Sequence, residues 1–189
     1  MEMNRNRKIS LAVLAAIVVV VAGIYIVKNL PQQAATTTTP TNGNNVAIDA
    51  STDDEALVLK SESIDLAALA VYNVPILIDF GSTTCQPCIL MAPELQAIHD
   101  ETLGKAIVKY VDVEASPDTA SDFPIMVTPT QVFINADGTP YVPSEAMSEK
   151  FEFIMYSHKD TDEHLFTIHQ GGLSADQMRE ILQDMGATV

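Results

Sequence analysis

"VPILIDFGSTTCQPCILMAP", Val74 to Pro93, contains both cysteines of the 189-residue chain, three positions apart. Val74–Phe80 has the length and composition of a buried strand and carries one acid, Asp79. From Pro87 to about Leu103, apolar residues at Ile89, Leu90, Ala92, Leu95 and Ile98 follow a helical period that Pro93 interrupts. The two thiols therefore sit where a strand gives way to a helix.

Four chemistries can begin with a thiol pair at this spacing. A structural zinc needs four ligands, and none of His99, His158, His164 and His169 has ligand spacing to Cys85. Haem attachment is excluded because Ile89 stands where a histidine would follow the second cysteine. A structural disulfide closing so short a loop would restrain the unfolded chain little. Redox chemistry accounts for the spacing. If a helix begins just after Cys85, unpaired backbone N–H groups and the helix dipole favour its thiolate, the nucleophilic form. Cys88, one turn along, is placed to attack a mixed disulfide made by Cys85. Pro87, just inside the helix, needs no hydrogen-bond partner there. The expected working group is a Cys85–Cys88 disulfide, with no other cofactor and no metal.

Helix and strand signals alternate through the rest of the chain. Asp65–Tyr72 and Glu114–Asp122 read as short helices, and Ala106–Val113 and Gln131–Asn135 as strands. Phe151–Tyr156 and Leu165–His169 are strand-like and flank the polar "SHKDTDEH", which predicts a hairpin. Ser174 with Gln177 forms a capping box ahead of Met178, Ile181, Leu182 and Met185, and Gly186 ends that helix. The order predicts an α/β fold on one central sheet.

The N-terminal part reads differently. Ile9–Val27 is nineteen residues without a charge, and a helix of that length spans roughly 28 Å, about the thickness of a bilayer's hydrocarbon. Arg5, Arg7 and Lys8 precede it and Lys28 follows, so residues 1–8 are expected in the cytoplasm and the remainder outside. No small-x-small cleavage site follows convincingly, which favours an uncleaved single-pass anchor at the cell membrane. Residues 28–45, rich in Thr, Gln, Asn and Pro, read as a linker to a domain at 46–189. From Val46 onward six basic residues face twenty-four acidic ones, a surface that repels phosphate backbones and argues against nucleic acid.

The Val74–Pro93 stretch resembles the active-site region of the thioredoxin superfamily. Asp79 lies six residues before Cys85, as the family's buried aspartate does, and Pro93 falls where its active-site helix is kinked. "VTPT", Val127–Thr130, is similar to the family's cis-proline loop, and "GGLSADQM" to the glycine turn into its final helix. The resemblance covers roughly residues 57–186. It implies a thioredoxin fold, a central mixed sheet flanked by helices, here with an extended hairpin before the last helix.

By position, the resemblance makes Cys85 the exposed nucleophile and Cys88 the buried resolving thiol. It makes Asp79 the carboxylate that exchanges a proton with Cys88, and Pro129 a cis-proline facing the disulfide. Thr128 would offer backbone hydrogen bonds to an extended client, with Gln86 and Pro87 at the mouth of the site. Three departures stand out: Thr84 replaces the usual tryptophan, Gln86 the usual glycine, and Tyr110 the buried lysine that many members pair with the aspartate. Lys109, one residue away, is expected to face the other side of the strand. Residues 139–163 exceed the simple family pattern and are expected to lengthen the hairpin or add a strand.

The expected function is extracytoplasmic reduction of disulfides in client proteins. Membrane-tethered relatives of this kind imply an electron carrier of the CcdA family as partner. A disulfide-forming oxidase or isomerase remains an alternative, as does a non-catalytic binding module.

Overall fold

The computed structural model describes residues 57–189. The expected anchor at 9–27 and linker at 28–45 lie outside the described residues, as does the start of the domain expected at 46. Among the described residues no helix is long and apolar enough to cross a membrane.

The apolar run after Val74 forms β1, Ile76–Gly81, and all six of its residues are buried. A strand covered on both faces needs such a continuous run. β1 pairs in parallel with β2, Ile107–Asp112, and antiparallel with β3, Thr130–Ile134. β5, His164–Gln170, pairs antiparallel with β3, and β4, Phe153–Ser157, lies beyond it, giving the order β2-β1-β3-β5-β4. The sheet is mixed, as expected.

Alternation along the strands divides the core in two. Leu77, Val108 and Phe133 face α2, Gln86–Thr102, and α5, Ala175–Asp184, and pack with Met91, Leu95, Ile98, Met178, Ile181 and Leu182. Ile76, Ile78, Phe80, Val132, Ile134 and Ile168 form the core on the opposite face, joined by Leu69 of α1, Leu66–Ala70, and by Phe123. Phe123 follows α3, Pro117–Ser121.

Local signals explain where the helices begin. Asp65 caps α1 by accepting the Ala68 N–H, and Cys85 caps α2. Ser174 and Gln177 make the full reciprocal capping box of α5. Gly186, at φ 95°, takes the chain out of α5 through a backbone conformation that other residues rarely adopt.

The 139–163 segment both extends the hairpin and adds a strand. β4 is the outer edge, and an unforeseen short helix, α4, Glu145–Lys150, precedes it. Ser144 caps α4 by accepting the Met147 N–H, and only Met147 of the helix is buried. Lys109 faces away from Tyr110 as expected; it is 2% exposed and its Nζ donates to the Val58 carbonyl at 2.7 Å.

The α2–α5 contact holds the helix that carries both cysteines against the sheet. Leu182→Ala, at a fully buried position of α5, should lower unfolding stability by about 2–5 kcal/mol. Urea denaturation followed by circular dichroism checks this. A loss no larger than that of a surface substitution would refute the packing assignment.

Candidate active site

Cys85 and Cys88 form a disulfide with Cα atoms 5.3 Å apart. Cys85 is the N-cap of α2, half-buried, and its Sγ lies 3.4 Å from the Cys88 backbone N. Cys88 is buried at 6% exposure in the first turn. Pro87 stands in that turn, where helical N–H groups have no intrahelical acceptor, so its missing N–H costs nothing. One sulfur faces the surface and the other the core.

The loop ahead of Cys85 is tied to the end of β2. Ser82 Oγ donates to Glu114 Oε1 at 2.6 Å, and Thr84 Oγ1 donates to the same oxygen at 2.7 Å. These two hydroxyls hold the Glu114 carboxyl below its ordinary range. Thr84 therefore anchors the loop through its hydroxyl, where an aromatic ring was the family expectation.

The Thr128–Pro129 peptide is cis, and the Thr128 carbonyl oxygen lies 3.4 Å from Cys85 Sγ. This loop is fixed from two sides: Thr130 Oγ1 donates to the Val127 carbonyl at 2.7 Å, and Gly171 N–H to the Pro129 carbonyl at 2.9 Å. Around it Met126 is 79% exposed, Val127 50% and Leu90 68%, while Gln86 and Pro87 are exposed beside Cys85. Exposed apolar side chains thus flank the cis-proline loop and the start of α2, the two segments that meet at Cys85.

Asp79 sits in mid-β1 at 3% exposure. Burial pushes its carboxyl from 3.8 up to about 7, against the opposing pull of a hydrogen bond from Gln131. Asp79 and Cys88 line one cavity of about 290 Å³, with Leu59, Ile89, Leu95 and Tyr110 among its walls. Gly81 lies between them, and a Cβ there would come within 2.8 Å of the Tyr110 ring and 3.5 Å of both Asp79 Oδ2 and Cys88 Cβ. Tyr110 is opposite Asp79 on β2, and desolvation raises its phenol to about 12. It therefore offers the carboxyl no positive charge.

Cys85, Cys88, Asp79, Thr128, Pro129, Gln86 and Pro87 are thus gathered at one end of the sheet. Sequence reasoning missed Ser82, Glu114, Met91 and Gln131. The available signal for Gln131 was a lone amide inside the apolar strand "TQVFI", Thr130–Ile134. Among the described residues, no group of three or more His, Cys, Asp or Glu side chains could hold a metal ion.

A buried carboxyl whose pKa is raised by folding makes stability fall with pH. Below 3.8 it is protonated in both folded and unfolded chains; between there and about 7 the folded chain holds the extra proton. The stabilising difference present in acid is lost as pH rises through that window. Asp79→Asn, which cannot ionise, should therefore gain stability over the parent at pH 8, by roughly 4 kcal/mol. The gain should shrink toward pH 5. Denaturation midpoints at the two pH values test this, and a pH-independent difference would rule it out.

The thioredoxin family model matches residues 57–155. The thioredoxin of Mycobacterium tuberculosis (strain H37Rv) is 38% identical over 68 residues, which are 36% of this chain and 58% of that protein. The thioredoxin of Staphylococcus saprophyticus is 35% identical over 82 residues, 40% of this chain and 78% of that protein. The solved structure of chloroplastic thioredoxin z aligns over 68% of this chain and 96% of its own, with 27% identity and a TM-score of 0.45. The cysteine pair gives a disulfide-capable site, and the span of the matched family model establishes that the chain belongs to the thioredoxin family.

Proposed function

We propose that this protein is a membrane-anchored, extracytoplasmic thiol–disulfide oxidoreductase that reduces disulfides in client proteins. The observation that carries the reading is the inequality of the two sulfurs. Cys85 is accessible at a helix N-terminus, and Cys88 is buried beside a carboxyl that burial has pushed up to about 7.

In the reduced protein the Cys85 thiolate attacks one sulfur of a client disulfide. The client S–S bond breaks, a Cys85–client disulfide forms, and the other client sulfur leaves as a thiolate. Cys88 gives its proton to the Asp79 carboxylate and attacks Cys85 Sγ. The mixed disulfide breaks, the second client thiolate is released, and the Cys85–Cys88 disulfide closes. Two electrons have passed to the client. An acid near pH 7 suits this exchange, because it can both accept and return the proton under working conditions.

The exposed apolar side chains of Met126, Val127 and Leu90 would seat an extended client segment, with the Thr128 backbone alongside and Gln86 and Pro87 at the entrance. Location outside the cytoplasm is supported by the uncharged run at 9–27 and the cations before it. A site there is beyond the reach of cytosolic reductases, so its electrons would come through the membrane, from a carrier of the CcdA type.

Two measurements test the reading. Cys88→Ser should accumulate a Cys85–client mixed disulfide, and Cys85→Ser should form none. The reduction potential of the purified protein should lie near the roughly −270 mV of thioredoxin. A value close to about −120 mV would reverse the proposed direction to oxidation. A cysteine pair with no reversible disulfide would leave a binding role.

A further inference from the structure

One row of side chains crosses the whole sheet at the level of Asp79. Register places Tyr110, Asp79, Gln131, His169 and Phe153 side by side on five neighbouring strands. Gln131 is 0% exposed in the middle of that row. An apolar side chain could fill the position, as Val132 and Phe133 fill theirs, whereas a glutamine brings polar atoms into a dry core.

The amide's contacts show what it is for. Its Nε2 donates to Asp79 Oδ1 at 2.8 Å and to Met91 Sδ at 3.5 Å, while its Oε1 has no partner among the described residues. With Asp79 ionised, the turned-over amide would set its oxygen against a carboxylate and a thioether sulfur, both acceptors, so the donor inventory favours the observed orientation for the carboxylate. Met91 Sδ also accepts the Leu173 N–H at 3.5 Å, which braces it from the loop entering α5. An orphaned buried oxygen calls for an explanation, and among the described residues the strong contact this side chain makes is with Asp79.

That contact makes the two carboxyl oxygens inequivalent. Oδ1 receives an N–H, and a proton placed there would turn that oxygen into a hydroxyl, a weaker acceptor for the amide than a carbonyl-type oxygen. Oδ2 faces Gly81, where the space left by the missing Cβ adjoins both Oδ2 and Cys88 Cβ. We propose that Gln131 is a positioning residue for the thiol–disulfide reaction: by donating to Oδ1 it confines the Asp79 proton to Oδ2, on the side of Cys88.

The inference rests on the function proposed above, in which Cys88 and Asp79 exchange a proton. The proton leaves Cys88 Sγ for Asp79 Oδ2 as Cys88 attacks Cys85, and returns when the disulfide is reduced. Gln131 keeps both of its N–H protons throughout. Its hydrogen bond also favours the ionised carboxylate and so opposes the effect of burial. The other titratable groups around the carboxyl are Cys85 and Cys88 from α2, Tyr110 and Asp112 from β2, Glu114 after it, Lys60 at the cavity wall and His169 beyond Gln131. Substitution of Gln131 leaves all of them in place.

The test is a carbon-13 NMR titration of the Asp79 carboxyl in the full chain, parent and Gln131→Met, each with the cysteines reduced. Methionine fills a similar volume without a donor. The Asp79 midpoint should rise by about one pH unit, a tenfold gain in proton affinity, because a hydrogen bond to the ionised form is lost. The pH at which Cys88 resolves a mixed disulfide should rise with it. In the parent protein, the Gln131 Nε2 proton resonances should move with the Asp79 midpoint, a readout that needs no variant and that packing alone would not produce. An unchanged midpoint in Gln131→Met, or amide resonances indifferent to the titration, overturns the proposal. Parent protein that never reduces a disulfide sinks the proposed function instead, and the Asp79–Gln131 titration remains measurable in it.

Discussion

A carboxyl group in the middle strand of the sheet is the constraint around which this site is arranged. Asp79 is 3% exposed, and moving its midpoint from 3.8 to about 7 corresponds to roughly 4 kcal/mol of lost stability once the group is ionised. That is a large share of the net stability of a typical domain. A leucine at the same place would pack with Leu77 and Phe133 and avoid the loss. The surroundings reduce the cost only in part: one amide N–H on Oδ1, an adjoining cavity, and no cation from Tyr110 opposite. What is left over is an acid poised near neutral pH, next to a buried thiol.

The same economy governs the loops. Cys85, the Thr128–Pro129 peptide and Gly171 come from three separate segments, and each is fixed by backbone or hydroxyl hydrogen bonds. Glu114 gathers Ser82 and Thr84, Thr130 closes on Val127, and Gly171 closes on Pro129. None of these contacts uses the side chains of Met126, Val127 and Leu90, so those side chains stay available while their supports are held. The helix that carries both cysteines is held separately, by Met91, Leu95 and Ile98 against the sheet and α5.

Legibility in the sequence followed the range of the interaction. β1 and α2 could be read because a buried strand and an amphipathic helix announce themselves within a few residues, and α5 because its capping box is local. α4 escaped notice since it spans under two turns and buries a single side chain, too little to make a period. The hairpin was readable, but not the fact that β5 lies inside it, next to β3, and β4 outside. Nothing local says which strand of a hairpin meets the sheet. Gln131 was missed for the same reason. An isolated polar residue in a strand ordinarily points to solvent, and only the register of β1, β3 and β5 reveals that this one points at Asp79. Lys109 was legible, because adjacent strand residues must take opposite faces.

Register also limits what the 139–163 segment can do. Phe153, at the start of β4, is level with His169, and hence with Asp79 and Gln131. Ser157, at the end of β4, is paired with His164, five residues before His169 on β5. At about 3.4 Å per residue, the polar tip between them lies roughly 17 Å along the strand from the row that contains Asp79. Cys85 lies at the Thr128 end of the sheet, so the tip is at the opposite end from the accessible sulfur. The first residues of β4 are the part of the segment that sits at the level of the site. A redox partner that reads this segment would therefore read Glu152 and Phe153 before it reached the charged turn.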